Sequence, residues 1–394
     1  MTFKVLTLNN IALAGLERLP RERYEVASEI GHPDAVMVRS ADMHKMDIPG
    51  SVKAIARAGA GVNNIPVEAM SGRGVPVFNA PGANANAVKE LVLAGMLLAS
   101  RNICEAWDYV RGLDGGDEEL HRAVESGKKR FVGTELPGKV LGVVGLGAIG
   151  VEVANAALAL GMQVVGYDPK ITVERAWQLD SGVRQAASLD DLFSRAQMVT
   201  VHVPLADGTR GLVNADRLQL MPAGGILLNF ARGGIVDEAA VGAALDGGSL
   251  ARYVCDFPSP GLKDHARVIA LPHLGASTRE AEENCAIMVA ENLREFLENG
   301  NIRRSVNFPE TYMPRIEGTR LAIANANVPN MVGQISTALA EAGLNIADLF
   351  NKSRGELAYT LVDVDGQVPE DVLQRIGSIE GVLSFRVIPP PAAA

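Results

Sequence analysis

Short apolar runs separated by amphipathic stretches fill the first part of the chain. Between residues 1 and 98 these runs read VLTL, AVMV, VKAIA and VPVFN, and the helical pattern AVKELVLAGMLLASR follows them. Buried strands that alternate with helices are typical of a parallel α/β layer. We therefore predict an α/β domain over residues 1–98.

The alternation is most regular in the middle of the chain. Six apolar runs fit buried strands there, and they read VLGVVG, QVVGYD, MVTVHVP, GILLNFA, RYVCDF and VIALPH. Such runs predict a doubly wound parallel sheet, which we assign to residues 99–287. The next pattern, AEENCAIMVAENLREFLENG, is a helix that ends at a glycine. We expect it to lead back to the first domain, which residues 288–310 would complete.

The pattern changes again after a proline-punctuated stretch. From residue 318 to residue 394 the order is strand, helix, strand, strand, helix, strand. This βαββαβ order predicts a separate ferredoxin-like unit.

Composition narrows the class of protein. A chain of 394 residues is too long for one ordinary core, and 47% hydrophobic with 21% charged residues is typical of globular proteins. The net charge of −9, without a basic run, argues against nucleic-acid binding. No leader pattern or apolar run long enough for a membrane is visible, so we expect a cytoplasmic protein. Cys104, Cys255 and Cys285 are widely spaced, which favours reduced thiols and predicts no metal site.

A glycine-rich turn joins the first strand of the middle domain to the next helix. Its GxGxxG spacing lets the backbone approach a pyrophosphate at a helix N-terminus, although a turn that serves packing alone has the same glycines. Asp168 ends the next strand, where a carboxylate binds an adenosine ribose and repels a 2′-phosphate. We therefore predict NAD rather than NADP. The predicted loop contacts are Gly145, Gly147, Ala148, Ile149 and Gly150.

Polar side chains follow the other strands of this sheet. His202, Arg232, Asp256 and His273 all come directly after apolar runs, at the edge where open α/β sheets bind ligands. Taken singly, such an arginine is more often in a salt bridge and such a histidine more often packs. An arginine is costly to desolvate without an anion, so either a structural carboxylate or a ligand must meet Arg232.

Four motifs carry a resemblance to a known family. VVGLGAIG, YDP, NFARGGIVDE and PHLGAST, in this order and spacing, resemble the D-2-hydroxyacid dehydrogenase family over residues 1 to about 305. The resemblance implies a flavodoxin-like substrate domain beside a Rossmann domain, and NAD-dependent oxidation of 3-phospho-D-glycerate to 3-phosphohydroxypyruvate, the first step of serine biosynthesis. Two alternatives stay open: a glyoxylate, hydroxypyruvate or lactate reductase on the same scaffold, and a binding protein that senses NAD.

The resemblance also implies site roles. Arg232 would bind the substrate carboxylate with its planar fork, His273 would take the hydroxyl proton, and Asp256 would hold the nicotinamide carboxamide. The family usually continues as DVFxxEP, and its glutamate supports the histidine, but this chain reads CDFPSPGLKD. Either His273 works without a charged partner, or Asp264 or another carboxylate serves. The further cofactor contacts implied are His202, Val203, Pro204, Thr209, Ala231, Arg232, Asp256, His273 and Gly275.

The substrate and effector residues come from the same resemblance. Arg57 is the candidate for the substrate phosphate, with Gly59, Ala60 and Gly61 near its carboxylate, and Arg130 belongs to a segment that in relatives reaches a partner subunit. Both arginines fit ordinary surface charges too.

Residues 318–394 resemble the ACT regulatory domain. In relatives, residues at the positions of Asn325, Asn327 and Asn345 hold serine between paired domains. Caps and turns explain asparagines at these positions nearly as well. Serine binding would imply a homodimer or homotetramer.

Overall fold

The computed structural model describes residues 2–390, which form two compact units. The first unit contains the chain up to Asn84 and again from Arg279 onward, and the second is Ala85–Thr278. The sequence instead suggests boundaries at residues 98 and 287. Residues 391–394 of the predicted third domain lie outside the described residues.

A five-stranded parallel sheet opens the first unit, with elements labelled here in chain order. Its strands are β1 (Phe3–Leu8), β2 (Tyr24–Ala27), β3 (Ala35–Val38), β4 (Ala54–Arg57) and β5 (Val77–Phe78). The strand order β2-β1-β3-β4-β5 is the flavodoxin-like order predicted for the substrate domain. The helices of this part are α1 (Leu13–Leu16), α2 (Val67–Gly72) and α11 (Arg279–Asn299).

The second unit contains a seven-stranded parallel sheet. Its strands are β6 (Val140–Val144), β7 (Gln163–Tyr167), β8 (Arg184–Gln185), β9 (Met198–Val201), β10 (Gly225–Asn229), β11 (Leu250–Cys255) and β12 (Val268–Ala270). The order β8-β7-β6-β9-β10-β11-β12 is that of a doubly wound dinucleotide-binding sheet, which confirms the predicted Rossmann fold. The sequence did not predict β8, because its two exposed residues carry no apolar run.

Eight helices of the second unit lie around this sheet or extend from it. They are α3 (Ala85–Arg101), α4 (Ile103–Arg111), α5 (Asp117–Gly127), α6 (Ala148–Ala159), α7 (Val173–Gln178), α8 (Leu189–Arg195), α9 (Ala215–Leu220) and α10 (Glu238–Asp246). Helix α3 belongs to this unit because its buried face packs in the same core as Val143, Ala154 and Val254. The polar, glycine-containing segment after α3 forms the two helices α4 and α5.

The C-terminal part of the first unit is a four-stranded antiparallel sheet with two helices. Its elements are β13 (Thr319–Ala326), α12 (Met331–Glu341), β14 (Ile346–Arg354), β15 (Leu357–Val364), α13 (Glu370–Gly377) and β16 (Val382–Ile388). The order β14-β15-β13-β16 and the antiparallel pairing confirm the ferredoxin-like prediction.

Polar contacts join this sheet to the end of α11. The Tyr359 hydroxyl donates to the carbonyl of Gly300 at 2.8 Å, and the buried Arg320 donates to the carbonyls of Asn299 and Met313. None of the described helices combines the length and the low charge needed to cross a bilayer.

Candidate active site

The glycine-rich turn follows β6 and leads into α6. Gly145 has a φ of +91°, and an added Cβ would lie 2.8 Å from the carbonyl oxygen of His202. At Gly150 an added Cβ would lie 1.9 Å from the Gly145 carbonyl oxygen, so only glycine allows the helix to start here. An added Cβ at Gly147 would meet nothing within 4 Å. The first and third glycines therefore shape the turn, and the second leaves its backbone open to a ligand.

Asp168 lies at the carboxyl end of β7, beside this turn. One carboxylate oxygen accepts a hydrogen bond from the Leu146 amide at 2.9 Å, and the other accepts from the Lys170 amide at 2.8 Å. An ionised carboxylate has about four acceptor positions, so it can accept further hydrogen bonds from a ribose. The glycine-rich turn and the Asp168 carboxylate thus lie side by side, which is the arrangement that binds the pyrophosphate and the ribose of a dinucleotide.

The segment after β9 supplies the next predicted contacts. Desolvation lowers the pKa of His202 to about 3, so its ring is neutral near pH 7. Its Nε2 lies 3.0 Å from Thr200 Oγ1, while its Nδ1 is buried without a hydrogen bond in the described chain. Thr209 folds back on this segment and donates to the Pro204 carbonyl at 2.5 Å. Val203 lies against Gly145, within 2.9 Å of its would-be Cβ.

Asp256 directly follows β11 and is 1% exposed. Its Oδ2 accepts from the Gly275 amide at 3.2 Å, while its Oδ1 is buried without a partner in the described chain. Burial raises the pKa of this carboxyl, and the nearby His273 and Arg232 lower it less strongly. A buried acceptor without a donor is costly, so Oδ1 is suited to a ligand amide.

Arg232 and His273 share one aromatic neighbour, Phe257. The Arg232 guanidinium carbon lies 5.8 Å from the centre of the Phe257 ring, and the His273 ring lies 4.6 Å from it. Arg232 is exposed, and its Nη1 donates to the Ala231 carbonyl at 2.8 Å. The described chain shows no ion pair between Arg232 and a carboxylate, so its fork is open to an anionic ligand.

The backbone of His273 adopts the left-handed region at a φ of 46°. Its amide donates to the Asp256 carbonyl at 3.0 Å, which ties it to the end of β11. This conformation is uncommon for residues other than glycine and is often found at functional sites. No carboxylate hydrogen-bonds the His273 ring among residues 2–390. Asp264, the hypothetical substitute, is 81% exposed in its side chain and pairs with Lys263 at 2.5 Å.

The edge of the seven-stranded sheet therefore fits a dinucleotide. The residues suited to hold NAD are Gly145, Gly147, Ala148, Ile149 and Gly150 of the turn, and Asp168, His202, Val203, Pro204, Thr209, Ala231, Asp256 and Gly275 at the strand ends. Two buried polar atoms, His202 Nδ1 and Asp256 Oδ1, have no hydrogen-bond partner in the described chain, which supports a ligand at this edge. Within residues 2–390 no cluster of three or more His, Cys, Asp or Glu side chains could hold a metal ion.

The first unit places Arg57 at the carboxyl end of β4. Its guanidinium folds over the next turn, since an added Cβ at Gly59 would lie 2.3 Å from Arg57 Nη1. The backbone of this turn is fixed by the Asn79 side-chain amide, which donates to the Ala60 carbonyl at 2.6 Å. Gly61 is half-buried beside it. Arg57 and the three turn residues are thus brought together.

Sequence reasoning missed Arg39. This residue directly follows β3, and Arg57 Nε donates to its carbonyl at 3.1 Å. Its own guanidinium pairs with Glu282 at 2.6 Å. The sequence did contain a pattern that could have identified Arg39. Arg39 directly follows the apolar run AVMV, and Arg57 ends the next strand. Because neighbouring parallel strands end at the same sheet edge, the two arginines are expected to lie close together.

Arg130 lies in the short helical turn Lys128–Phe131 after α5, and it is exposed to solvent. Its guanidinium carbon is 5.1 Å from the Tyr109 ring centre and 5.6 Å from that of Phe131. These contacts hold the side chain against aromatic neighbours on the exposed surface.

Two of the three predicted effector asparagines meet at one cavity in the C-terminal sheet. Asn325 and Asn327 line a cavity of about 150 Å³, together with Asn330 and Asn351, which were not among the predicted effector residues. Asn345 does not line it, and its Nδ2 donates to Asp365 at 3.0 Å at the other end of β14. Asn351 could have been found only from the register of β14 against β15.

Comparisons with known proteins agree with this geometry. The family model for the D-isomer specific 2-hydroxyacid dehydrogenase, NAD binding domain, matches residues 93–275. The D-3-phosphoglycerate dehydrogenase of Haemophilus influenzae is 36% identical in an alignment of 341 positions that covers 83% of this chain and 79% of that protein. The D-3-phosphoglycerate dehydrogenase of Synechocystis sp. is 36% identical in an alignment of 410 positions that covers 97% of this chain and 70% of that protein.

A solved structure gives the same result. The NAD⁺-bound 3-phosphoglycerate dehydrogenase of Entamoeba histolytica matches with a TM-score of 0.60 and 27% identity, over 78% of this chain and 99% of that chain. Residues 93–275, which the family model matches, contain the glycine-rich turn, Asp168 and the strand-end residues described above. The chain therefore belongs to the D-isomer specific 2-hydroxyacid dehydrogenases and is an NAD-dependent dehydrogenase.

Proposed function

We propose that the chain oxidises 3-phospho-D-glycerate to 3-phosphohydroxypyruvate, the first step of L-serine biosynthesis. The observation that carries this proposal is that Arg232 pairs with no carboxylate of residues 2–390 and shares the Phe257 ring with His273, at the edge of an NAD-binding sheet. The relatives reported above bear the names of enzymes for this reaction. The free thiols of Cys104, Cys255 and Cys285 support a cytoplasmic location.

Each of three residues of the second unit has its own role in the proposed reaction. Arg232 binds the substrate carboxylate through two parallel hydrogen bonds. His273 accepts the proton of the C2 hydroxyl and returns it in the reverse reaction. The residues of the glycine-rich turn and the strand ends would hold NAD, which would supply the hydride acceptor needed to convert the C2 alcohol to a ketone, and the hydroxyl proton would remain on His273. Asp256 orients the carboxamide of the cofactor with its free Oδ1.

Phe257 takes over the positioning of His273 that a glutamate provides in the family. Its ring contacts His273 and Arg232, so it fixes the orientation of both side chains without adding charge. The negative charge that interacts with His273 and Arg232 is that of the buried Asp256. This assignment leaves no role for the exposed Asp264, and an Asp264→Asn variant would keep its turnover and pH profile.

The phosphate of the substrate requires cations of its own. Arg57 and Arg39 adjoin each other at the ends of β4 and β3, and we assign the phosphate to this pair. Arg57→Gln should therefore lower kcat/KM for 3-phosphoglycerate by about 10- to 100-fold, since a lost hydrogen bond to a charged group costs roughly 1.5–3 kcal/mol. The same substitution leaves kcat/KM for D-glycerate nearly unchanged.

The two rival functions give different outcomes in this assay, which follows NADH formation. A glyoxylate or hydroxypyruvate reductase would prefer the substrate without phosphate and would not respond to Arg57→Gln. A binding protein that senses NAD would form no NADH with either substrate. Arg18→Gln is the matched control, because Arg18 is a half-exposed arginine of the same unit that pairs with Glu291.

We further propose that serine binds at the cavity formed by Asn325 and Asn327 and regulates the enzyme. The cavity is small enough for an amino acid, and its asparagine amides supply both donors and acceptors. Asn345 lies away from this cavity in its own chain, so it contributes only from a second copy. This arrangement requires at least a dimer, such as a homodimer or homotetramer.

Calorimetry with serine tests the effector proposal. Asn327→Ala should weaken serine binding at least about tenfold, the equivalent of roughly 1.4 kcal/mol for lost hydrogen bonds. Asn345→Ala should weaken it as well, and sedimentation should show a dimer or larger. Wild-type serine affinity in Asn345→Ala would mean that one chain forms the whole serine site. Wild-type serine affinity in Asn327→Ala would mean that serine does not bind in this cavity.

A further inference from the structure

A second cavity lies within the first unit, where the C-terminal sheet packs on the five-stranded sheet. It has a volume of about 270 Å³, which is larger than the cavity at the asparagines. One wall consists of residues 50–53 and 73–75, from the loops around β4 and β5. The opposite wall comes from β13, β15 and β16, and Phe296 of α11 lies between them.

Positive charge dominates the lining of this cavity. Lys53, Arg73 and Arg386 line it, and no acidic residue does. Asp34, which does not line the cavity, pairs with Lys53 at 2.7 Å and accepts a hydrogen bond from the Lys4 amide at 2.8 Å. Among residues 2–390, Arg73 and Arg386 form no ion pair with a carboxylate, so the cavity retains a positive charge that Asp34 does not balance.

Both arginines are anchored by backbone carbonyls instead of carboxylates. Arg73 donates to the carbonyls of Ile48 and Pro49, at 2.9 and 2.6 Å. Arg386 donates to the Phe296 carbonyl at 2.6 Å and lies over the Phe296 ring, 4.1 Å from its centre. Burial lowers the pKa of Arg386, which means that its charge is poorly solvated. Fixed guanidinium groups with remaining N–H donors are well suited to bind an oxyanion.

The walls also offer neutral and apolar groups. Ser384 Oγ donates to the Gly74 carbonyl at 2.9 Å, so the two walls touch at this edge. Gly74 has a φ of +69°, and an added Cβ would lie 2.4 Å from Ser384 Oγ, so glycine is needed for this approach. Phe296 and Phe385 line the remainder with ring surface. The lining thus combines an anion-binding side with an apolar side.

We propose that this cavity binds a small organic anion, a molecule with a phosphate or carboxylate group on a carbon skeleton of a few atoms. Its charged group binds Arg73, Arg386 and Lys53, and its skeleton lies against Phe296 and Phe385. Because the two walls belong to different sheets, the bound anion holds the C-terminal sheet against the five-stranded sheet. The site is distinct from the residues assigned to substrate, NAD and serine, and does not depend on the proposed function.

Hydrogen exchange of the full-length chain tests this proposal, with inorganic phosphate or malonate as the probe and chloride at equal ionic strength as the reference. At a probe concentration about ten times the dissociation constant, local opening is suppressed about tenfold. We expect this slower exchange in peptides that cover residues 48–53 and 382–388. Protection by phosphate alone or by malonate alone identifies which kind of oxyanion the site prefers. Peptides over residues 54–62 report separately on phosphate at Arg57.

Two variants and one control make the test specific. Lys53→Gln and Arg386→Met should each abolish most of the protection, and Lys53→Gln remains informative if loss of Arg386 loosens the sheet. Lys45→Gln removes the same charge from an exposed side chain outside the cavity and should keep the full effect. The proposal is overturned if neither probe protects these peptides, or if Lys53→Gln and Arg386→Met are protected as strongly as Lys45→Gln.

Discussion

At the scale of single residues, the strand-end side chains were predictable because each directly follows an apolar run. Arg232, Asp256 and His273 lie where parallel strands end, and that edge follows from the βα alternation alone. Phe257 was not predictable as their shared neighbour, because its ring contacts depend on the path of the loop after β11. Arg39 was missed because a charged residue after a strand is usually only solvated.

The open fork of Arg232 leads to a prediction about geometry rather than charge. Arg232→Lys keeps the charge but removes the parallel pair of donors, so kcat/KM should fall about 100-fold, or roughly 3 kcal/mol. Steady-state kinetics with NAD and 3-phosphoglycerate measures this. Arg210→Lys, an exposed arginine in the same unit, should remain near wild type. A fall of less than threefold in Arg232→Lys would mean that the substrate carboxylate is bound elsewhere.

At the scale of elements, apolar periodicity predicted most strands, and tertiary packing decided what it could not. The two-residue β8 lacks an apolar run, and α3 reads as the end of the first domain until its packing against the second sheet is seen. The cross-strand pair of Arg320 on β13 and Asp363 on β15 was also invisible, since it depends on register.

This pair is the most buried ion pair of the described chain. Arg320 binds both carboxylate oxygens of Asp363, at 2.7 and 2.6 Å, with exposed fractions of 0% and 1% for the two side chains. Arg320→Met should therefore destabilise the first unit by about 3–5 kcal/mol, because Asp363 would remain buried without its principal partner. Urea unfolding followed by circular dichroism measures the loss.

An exposed ion pair supplies the control for this prediction. Arg375 and Glu341 join α13 to α12, and both side chains are more than half exposed. Arg375→Met should cost no more than about 1 kcal/mol. Equal losses in the two variants would contradict a special role for the buried pair.

At the scale of the whole molecule, the predicted cofactor residues belong to one compact unit. The glycine-rich turn, Asp168 and the strand-end residues all lie within Ala85–Thr278. The fold of this unit was predictable from its six long apolar runs. The grouping of the C-terminal sheet with the start of the chain was not, because it rests on contacts such as Ser384 with Gly74 that have no local signature.

Hydrogen exchange should therefore respond to NAD mainly in the second unit. At a concentration of NAD about 100 times its dissociation constant, binding stabilises its site by about 2.7 kcal/mol, so peptides over β6, α6 and β7 should exchange about 100-fold more slowly. Asp168→Ala should lose much of this protection at the same NAD concentration, whereas Asp216→Ala, an exposed substitution in α9, should not. Undiminished protection in Asp168→Ala would show that the ribose is bound by other groups.

The discontinuity of the first unit has a consequence for how the protein is made. Residues up to Asn84 must wait for Arg279 and everything after it, including α11, which packs closely on Gly15 of α1. At a synthesis rate of roughly 5–20 residues per second, the ribosome needs about 10–40 seconds to make the segment in between. The second unit is continuous and can fold during that interval. The nascent N-terminal strands therefore remain without their covering helix for tens of seconds, which is long enough to make them clients for a chaperone.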